Sequence, residues 1–138
     1  MNQIEHQIQV AIAQYLDLTG ICWWAVPNGG FRNMTVAKKL KAEGVKSGVP
    51  DITIIHGGRY YGIEVKKPKT DTPRGRLSDS QKTMIGQIED SGGLVALAYS
   101  VLDVEELLQI WGINGTLDPK HKHDHRQYQS PPLENFHP

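Results

Sequence analysis

The amino-acid sequence predicts an α/β domain: a mixed central sheet flanked by helices. Three observations lead there. Apolar residues recur at helical spacing over 3–18, two short apolar strands face each other across Gly57-Gly58, and a helix–strand–helix pattern runs from Ser78 to Trp111.

The first helix follows from Ile4, Ile8, Ala11, Ile12 and Tyr15, with Gly20 as its stop. Residues 21–26, aromatic and β-branched, read as a strand that Pro27-Asn28-Gly29-Gly30 ends. Trp23 and Trp24 could stack on bases, but adjacent strand residues face opposite ways, so at least one is expected in the core and stacking is the less favoured role. Cys22 is expected to be a small buried residue. A short helix over 34–43 gathers Lys38, Lys39 and Lys41.

Residues 51–56 and 59–66 form a β-hairpin. Lys67 to Leu77 is a basic loop, and Ser78 opens a helix that Gly92-Gly93 closes. Leu94 to Tyr99 is a strand. Asp103, with Glu106 three residues on, is expected to cap a last helix with Val104, Leu107, Leu108 and Trp111 on its apolar face. The order is α-β-α-β-β-α-β-α.

The periodic pattern stops near residue 113, dividing a folded domain over 1–112 from an expected flexible tail over 113–138. That tail holds four of the six histidines and four of the eight prolines. Its alternating His121, His123 and His125 could chelate a metal weakly, but a solvated tail is the favoured explanation for them. With 138 residues, 38% hydrophobic and 22% charged, the composition is that of one globular domain. No apolar run approaches the roughly 20 residues of a bilayer span. Met1 to His6 lack signal-peptide blocks, and one cysteine forms no internal disulfide, so a cytoplasmic location is expected.

Net charge is zero, but its distribution is uneven. Between Arg32 and Lys82 stand 12 of the 15 Lys and Arg residues against five acids, a local excess of seven. A nucleic-acid partner reads local basic surface rather than the total. Candidate phosphate contacts are Asn28, Arg32, Lys38, Lys39, Lys41 and Lys46 before the hairpin's second strand, and Lys67, Lys69, Arg74 and Arg76 after it. No helix-turn-helix or zinc-finger spacing is present, which favours reading DNA by shape.

The hairpin register carries the chemistry. With Gly57-Gly58 as a two-residue turn, His56 opposes Arg59, Ile55 opposes Tyr60, and counting outward Asp51 opposes Glu64. Opposed side chains lie about 4.5–5.5 Å apart at Cβ, where two like charges destabilise a sheet unless something positive intervenes. Lys66 shares the face of Glu64. Pro50 fixes the backbone just before Asp51. Two carboxylates with open water positions suit Mg²⁺, which neutralises charge on a phosphodiester and activates water. Lys66 can orient the water, stabilise the transition state or transfer a proton.

Gly48-Val49-Pro50-Asp51, followed by Glu64-Val65-Lys66, resembles the PD-(D/E)XK nuclease superfamily and, more closely, its VRR-NUC family. Glu5, Pro27-Asn28-Gly29 and Leu77-Ser78-Asp79-Ser80-Gln81 strengthen the match, which spans roughly residues 1–100. The resemblance implies a restriction-endonuclease-like α-β-β-β-α-β core, with the helix at 34–43 as an insertion. It implies Asp51, Glu64 and the Val65 carbonyl as metal ligands, Lys66 as the catalytic lysine, Glu5 as a direct or outer metal partner, and Gln81 beside the site. Glu5 is also explained by the helix N-terminus, and Gln81 by a Ser78-x-x-Gln81 capping box.

The function expected is an Mg²⁺-dependent endonuclease, with Mn²⁺ able to substitute, acting on branched or junction DNA. The resemblance adds a homodimer and a setting in DNA repair or recombination. A sequence-specific restriction-type nuclease, a non-catalytic DNA-binding module of the same fold and a structural protein are the alternatives. The module predicts a missing acid or lysine, and the structural protein predicts no divalent-metal binding at the hairpin.

Overall fold

The computed structural model describes residues 3–28, 32–68 and 77–113. The tail beyond 113, including His121, His123 and His125, lies outside the described residues, as do Lys69, Arg74 and Arg76. Eight elements follow in the expected order: α1 (Gln3–Thr19), β1 (Cys22–Ala25), α2 (Met34–Ala42), β2 (Ile52–His56), β3 (Arg59–Val65), α3 (Asp79–Asp90), β4 (Leu94–Ala98) and α4 (Val101–Trp111). The four strands form one sheet in the order β1-β2-β3-β4, antiparallel except for the parallel β3–β4 pair, so it is mixed. Setting α2 aside as an insertion and α4 as an addition leaves the α-β-β-β-α-β core.

The hairpin turns on Gly57 and Gly58, both at positive φ, as a tight two-residue connection demands. Its register pairs His56 with Arg59 and Ile52 with Ile63. Alternation then sorts the sheet into two faces. One carries Ile52, Ile54, Tyr61, Ile63, Val65 and Ala98, which pack with Ile12 and Leu16 of α1 and Val104 and Leu108 of α4 into the apolar core. Ile113 is buried in the same core, and its N–H donates to the Leu108 carbonyl at 2.8 Å, so packing continues through that residue.

The opposite face carries Thr53, Tyr60, Gly62 and Glu64, with Asp51 and Lys66 at its end. Helix α3 covers it only on the β3–β4 side, where Tyr60 lines a crevice with Met84 and Ile88. On this face β1 is exposed at Cys22 and Trp24 while Thr53 of β2 is buried, and the exposure of β1 overturns one expectation. Cys22 is exposed, because β1 is an edge strand and its outer face has no covering helix. Trp23 packs against the core with Nε1 donating to Asp17 Oδ1 at 3.1 Å, and Trp24 takes the open face.

The last helix supplies the second correction. Its N-cap is Ser100, whose side chain accepts from Asp103 N–H, and Asp103 sits in the first turn with Oδ2 accepting from Tyr99 N–H at 2.8 Å. Ser100-x-x-Asp103 and Asp103-x-x-Glu106 both have capping spacing. Val101, Leu102 and Asp103 extend the helix by almost one turn, so the earlier pair wins. The left-handed Gly112 closes it at φ 70°. No helix among the described residues is long and apolar enough to cross a membrane.

Candidate active site

Each acid is delivered by a different strand of the hairpin. Pro50 is buried and Asp51 follows it immediately before β2. The Asp51 backbone carbonyl accepts from Val26 N–H at 2.8 Å, continuing the β1–β2 ladder past its last paired residues. Its side chain is fixed twice: Oδ2 accepts from Val65 N–H at 2.8 Å, and Oδ1 faces Asn28 Nδ2 at 3.4 Å. Asn28 also donates to the Val49 carbonyl at 2.6 Å, tying the end of β1 to the segment that leads into Asp51.

Glu64 stands one step beyond the Ile52–Ile63 pair, as the count from the turn requires. Both residues are 4% exposed. Two buried acids this close cannot both ionise freely. Burial first, and then the charge of Asp51, push the Glu64 carboxyl up to about 8, with Lys66 opposing the shift. The opposition is incomplete because the Lys66 ammonium stands 3.9 Å from Glu64 Oε1.

Gln81 joins the acid to the amine. Its Nε2 donates to Glu64 Oε1 at 2.7 Å, while its Oε1 accepts from Lys66 Nζ at 3.3 Å and from Ser78 N–H at 2.8 Å. The last bond is half of the capping box that starts α3, so one side chain both begins the helix and bridges the site. The two explanations the sequence offers for Gln81 are therefore both present in the geometry.

Glu5, in the first turn of α1, reaches the exit of β3, where Oε1 accepts from Lys67 N–H at 3.4 Å. Among the described residues no three His, Cys, Asp or Glu side chains gather closely enough to hold a metal ion, so the carboxylate centre is the pair Asp51 and Glu64. Val65 contributes backbone here, its side chain being buried in the core behind.

The basic candidates are less concentrated. Lys38, Lys39 and Lys41 are exposed on α2, a helix with no buried residue, capped by the Asn33 side chain. Both ends of the α2 excursion return to Asp51, through Asn28 on one side and Val49-Pro50 on the other. Arg32 is exposed with Nη2 donating to the Pro27 carbonyl at 2.9 Å; Lys46 is exposed and Lys67 half-buried.

One positioning contact carries no obvious sequence signal beyond a glycine before Pro-Asp. Gly48, at φ +82°, presses on the first turn of α3, so close that a Cβ would stand 2.2 Å from the Ser80 carbonyl oxygen.

The VRR-NUC domain profile matches residues 3–102. The chain belongs to the VRR-NUC family. It shares its fold with a solved structure described as a VRR_NUC domain protein, at 22% identity and a TM-score of 0.56, the alignment covering 76% of this chain and 84% of that one. No curated protein matches the chain. The VRR-NUC match runs from α1 to the start of α4 and includes Asp51, Glu64, Lys66, Glu5 and Gln81. The family is of nuclease type, and within the matched span Asp51, Glu64 and Lys66 gather at one end of the hairpin.

Proposed function

We propose that this VRR-NUC protein is a metal-dependent endonuclease that hydrolyses DNA phosphodiester bonds, with preference for branched or junction DNA. The observation that carries the reading is the convergence of two buried, mutually repelling carboxylates with Lys66 and Gln81. A non-catalytic module of the same fold needs no such costly grouping.

The donor set fits a hard divalent cation. Asp51 and Glu64 are oxygen donors crowded together with only partial compensation from Lys66, so a dication between them relieves their repulsion. With two side-chain carboxylates available, the remaining positions fall to backbone carbonyl, solvent and phosphate oxygens. Mg²⁺, or Mn²⁺ in its place, supplies charge neutralisation and water activation there. Asp51 is held in place by Val65 N–H and Asn28, and Glu64 by Gln81. Lys66 places its ammonium beside the reacting phosphate, where it stabilises growing negative charge.

Preference for DNA shape rests on the architecture. All eight elements belong to one sheet-and-helix unit, so no separate recognition module stands among the described residues. Exposed Arg32, Lys38, Lys39, Lys41 and Lys46 supply sequence-independent phosphate contacts. Activity as a homodimer in the cytoplasm, in repair or recombination, completes the proposal.

The test is incubation of labelled four-way, flap and linear DNA with and without Mg²⁺ or Mn²⁺, with Glu64→Ala and Lys66→Ala run in parallel. Cleavage is expected only with metal and fastest on branched DNA. Each variant should keep DNA binding and lose at least about 100-fold in rate. Equal cleavage by the parent and both variants would remove the site from the reaction.

A further inference from the structure

We propose that Trp24 is a base-stacking platform, a subsite where an unpaired nucleobase of the substrate strand rests beside the two acids. It depends on the nuclease reading above and adds to it a binding site for the chemical class of a single-stranded base.

The strand register places the indole. Trp23 pairs with Ile54 and faces the core, so Trp24 points to the other side of the sheet. That side carries Asp51, Glu64 and Lys66. Trp24 pairs with Thr53, and Asp51 lies two residues before Thr53 on the same face. Diagonal neighbours of this kind are about 7–8 Å apart in an antiparallel pair. A stacked nucleic-acid strand advances about 3.4 Å per nucleotide, so this spacing is about two stacked steps from Asp51.

The indole is also open. No helix covers this part of the sheet among the described residues, and Trp24 is 48% exposed, the one aromatic among the large exposed hydrophobics described there. Its neighbour on that face, Cys22, is exposed as well. The surroundings specify the occupant. Lys66 stands 3.9 Å from Glu64, and Arg32 is anchored on the Pro27 carbonyl just past β1, so a strand running from the acids towards β1 has cations for its phosphates at both ends. A base beside those phosphates then meets an aromatic face, the combination that binds single strands without sequence preference. Bases within a duplex are stacked on their neighbours and leave no face for the indole, so the occupant is an unpaired base, as at a flap or junction.

Binding is measured in EDTA, where no cleavage competes, using a single-stranded oligonucleotide, a flap and a blunt duplex with the full chain, Trp24→Ala and Trp24→Phe. Stacking on one aromatic ring corresponds to a loss of about 5- to 150-fold on truncation. Trp24→Ala is expected to weaken single-strand and flap binding by that factor and duplex binding by less than about twofold. Trp24→Phe should recover most of the loss, because a smaller ring still stacks. Quenching of tryptophan fluorescence by the single strand should disappear in Trp24→Phe, although Trp23 and Trp111 remain to report.

Unchanged single-strand and flap affinity in Trp24→Ala overturns the subsite, as does an equal loss on duplex, or a protein partner displaced by Trp24→Ala with DNA binding untouched. If the parent protein shows metal-dependent cleavage while Trp24→Ala binds as it does, only the stacking proposal fails. If the parent neither binds nor cleaves any of these DNAs, both fail.

Discussion

Gly48 and Ser80 meet backbone to backbone: a Cβ built on Gly48 lies 2.2 Å from the Ser80 carbonyl oxygen and 2.8 Å from Gln81 N. The contact locks the segment leading into Asp51 against the first turn of α3, whose Gln81 holds Glu64 and Lys66. Gly48→Ala is expected to be severe for two separate reasons. A left-handed backbone costs an L-residue about 1–2 kcal/mol, and intruding on fixed backbone adds about 1–3 kcal/mol. Thermal denaturation should show a fall of at least about 6 °C, since 1 kcal/mol moves a domain of this size by roughly 3–5 °C. A melting point unchanged within a few degrees would show that α3 is free to move away.

The double employment of Gln81 can be separated by choice of substitution. Glutamate serves a capping box as well as glutamine, so Gln81→Glu keeps the start of α3. It also puts a carboxylate where Nε2 donates to Glu64 at 2.7 Å. Stability should change by less than about 1 kcal/mol while cleavage falls at least about tenfold. Gln81→Ala removes cap and bridge together and should lower both melting point and rate. Parallel losses in the two variants would make Gln81 a structural residue alone.

Much of this site was legible because a strand's side-chain period is two. Once Gly57-Gly58 is read as the turn, the opposition of Asp51 and Glu64 and the shared face of Lys66 follow by counting, and the observed pairing agrees. The cap at Ser78 was legible for a similar reason, its signal lying wholly within four consecutive residues. The misreadings fall where neighbours distant in sequence decide. Cys22 looks like a core residue in an apolar strand, but whether a strand face is covered depends on where α3 docks. The final helix offered two capping sites three residues apart, and local spacing did not choose between Ser100 and Asp103. The contact of Glu5 with Lys67 joins residues far apart in the chain, and only the packed structure brings them together.

Exposure of Cys22 has a direct consequence. An aromatic disulfide reagent added to the native protein should titrate one thiol within minutes without denaturant, as expected for an accessible side chain on an open sheet face. Reaction only after unfolding would mean that something covers this part of the sheet in solution.

Glu5 meets the backbone of Lys67 through one carboxylate oxygen. An amide can accept that bond too, so Glu5→Gln should keep the exit of β3 in place and retain activity within about tenfold. Glu5→Ala loses the acceptor and should cost about 1 kcal/mol of stability along with a larger share of the rate. A loss of about 100-fold or more in Glu5→Gln would instead make Glu5 a direct metal ligand, because only its charge has changed.

The Glu64 carboxyl, pushed up to about 8 from an ordinary 4.5 by burial and by Asp51, sets the pH behaviour. Between those values the folded, metal-free protein keeps a proton that the unfolded chain has lost. The folded state binds more protons there, so the contribution to stability is complete below about 4.5 and is lost as pH rises through about 8. Denaturant midpoints of the metal-free protein should fall over that interval, and Glu64→Gln should flatten the slope. If a cation binds there as proposed, it competes with that proton for the same oxygens. Metal uptake near neutral pH is therefore expected to release about one proton, readable by calorimetry in two buffers of different ionisation enthalpy. Apparent metal affinity should climb by up to about tenfold per pH unit and level off above about pH 8. Uptake without proton release would place the cation away from Glu64, and the pair of opposed acids would then need another explanation.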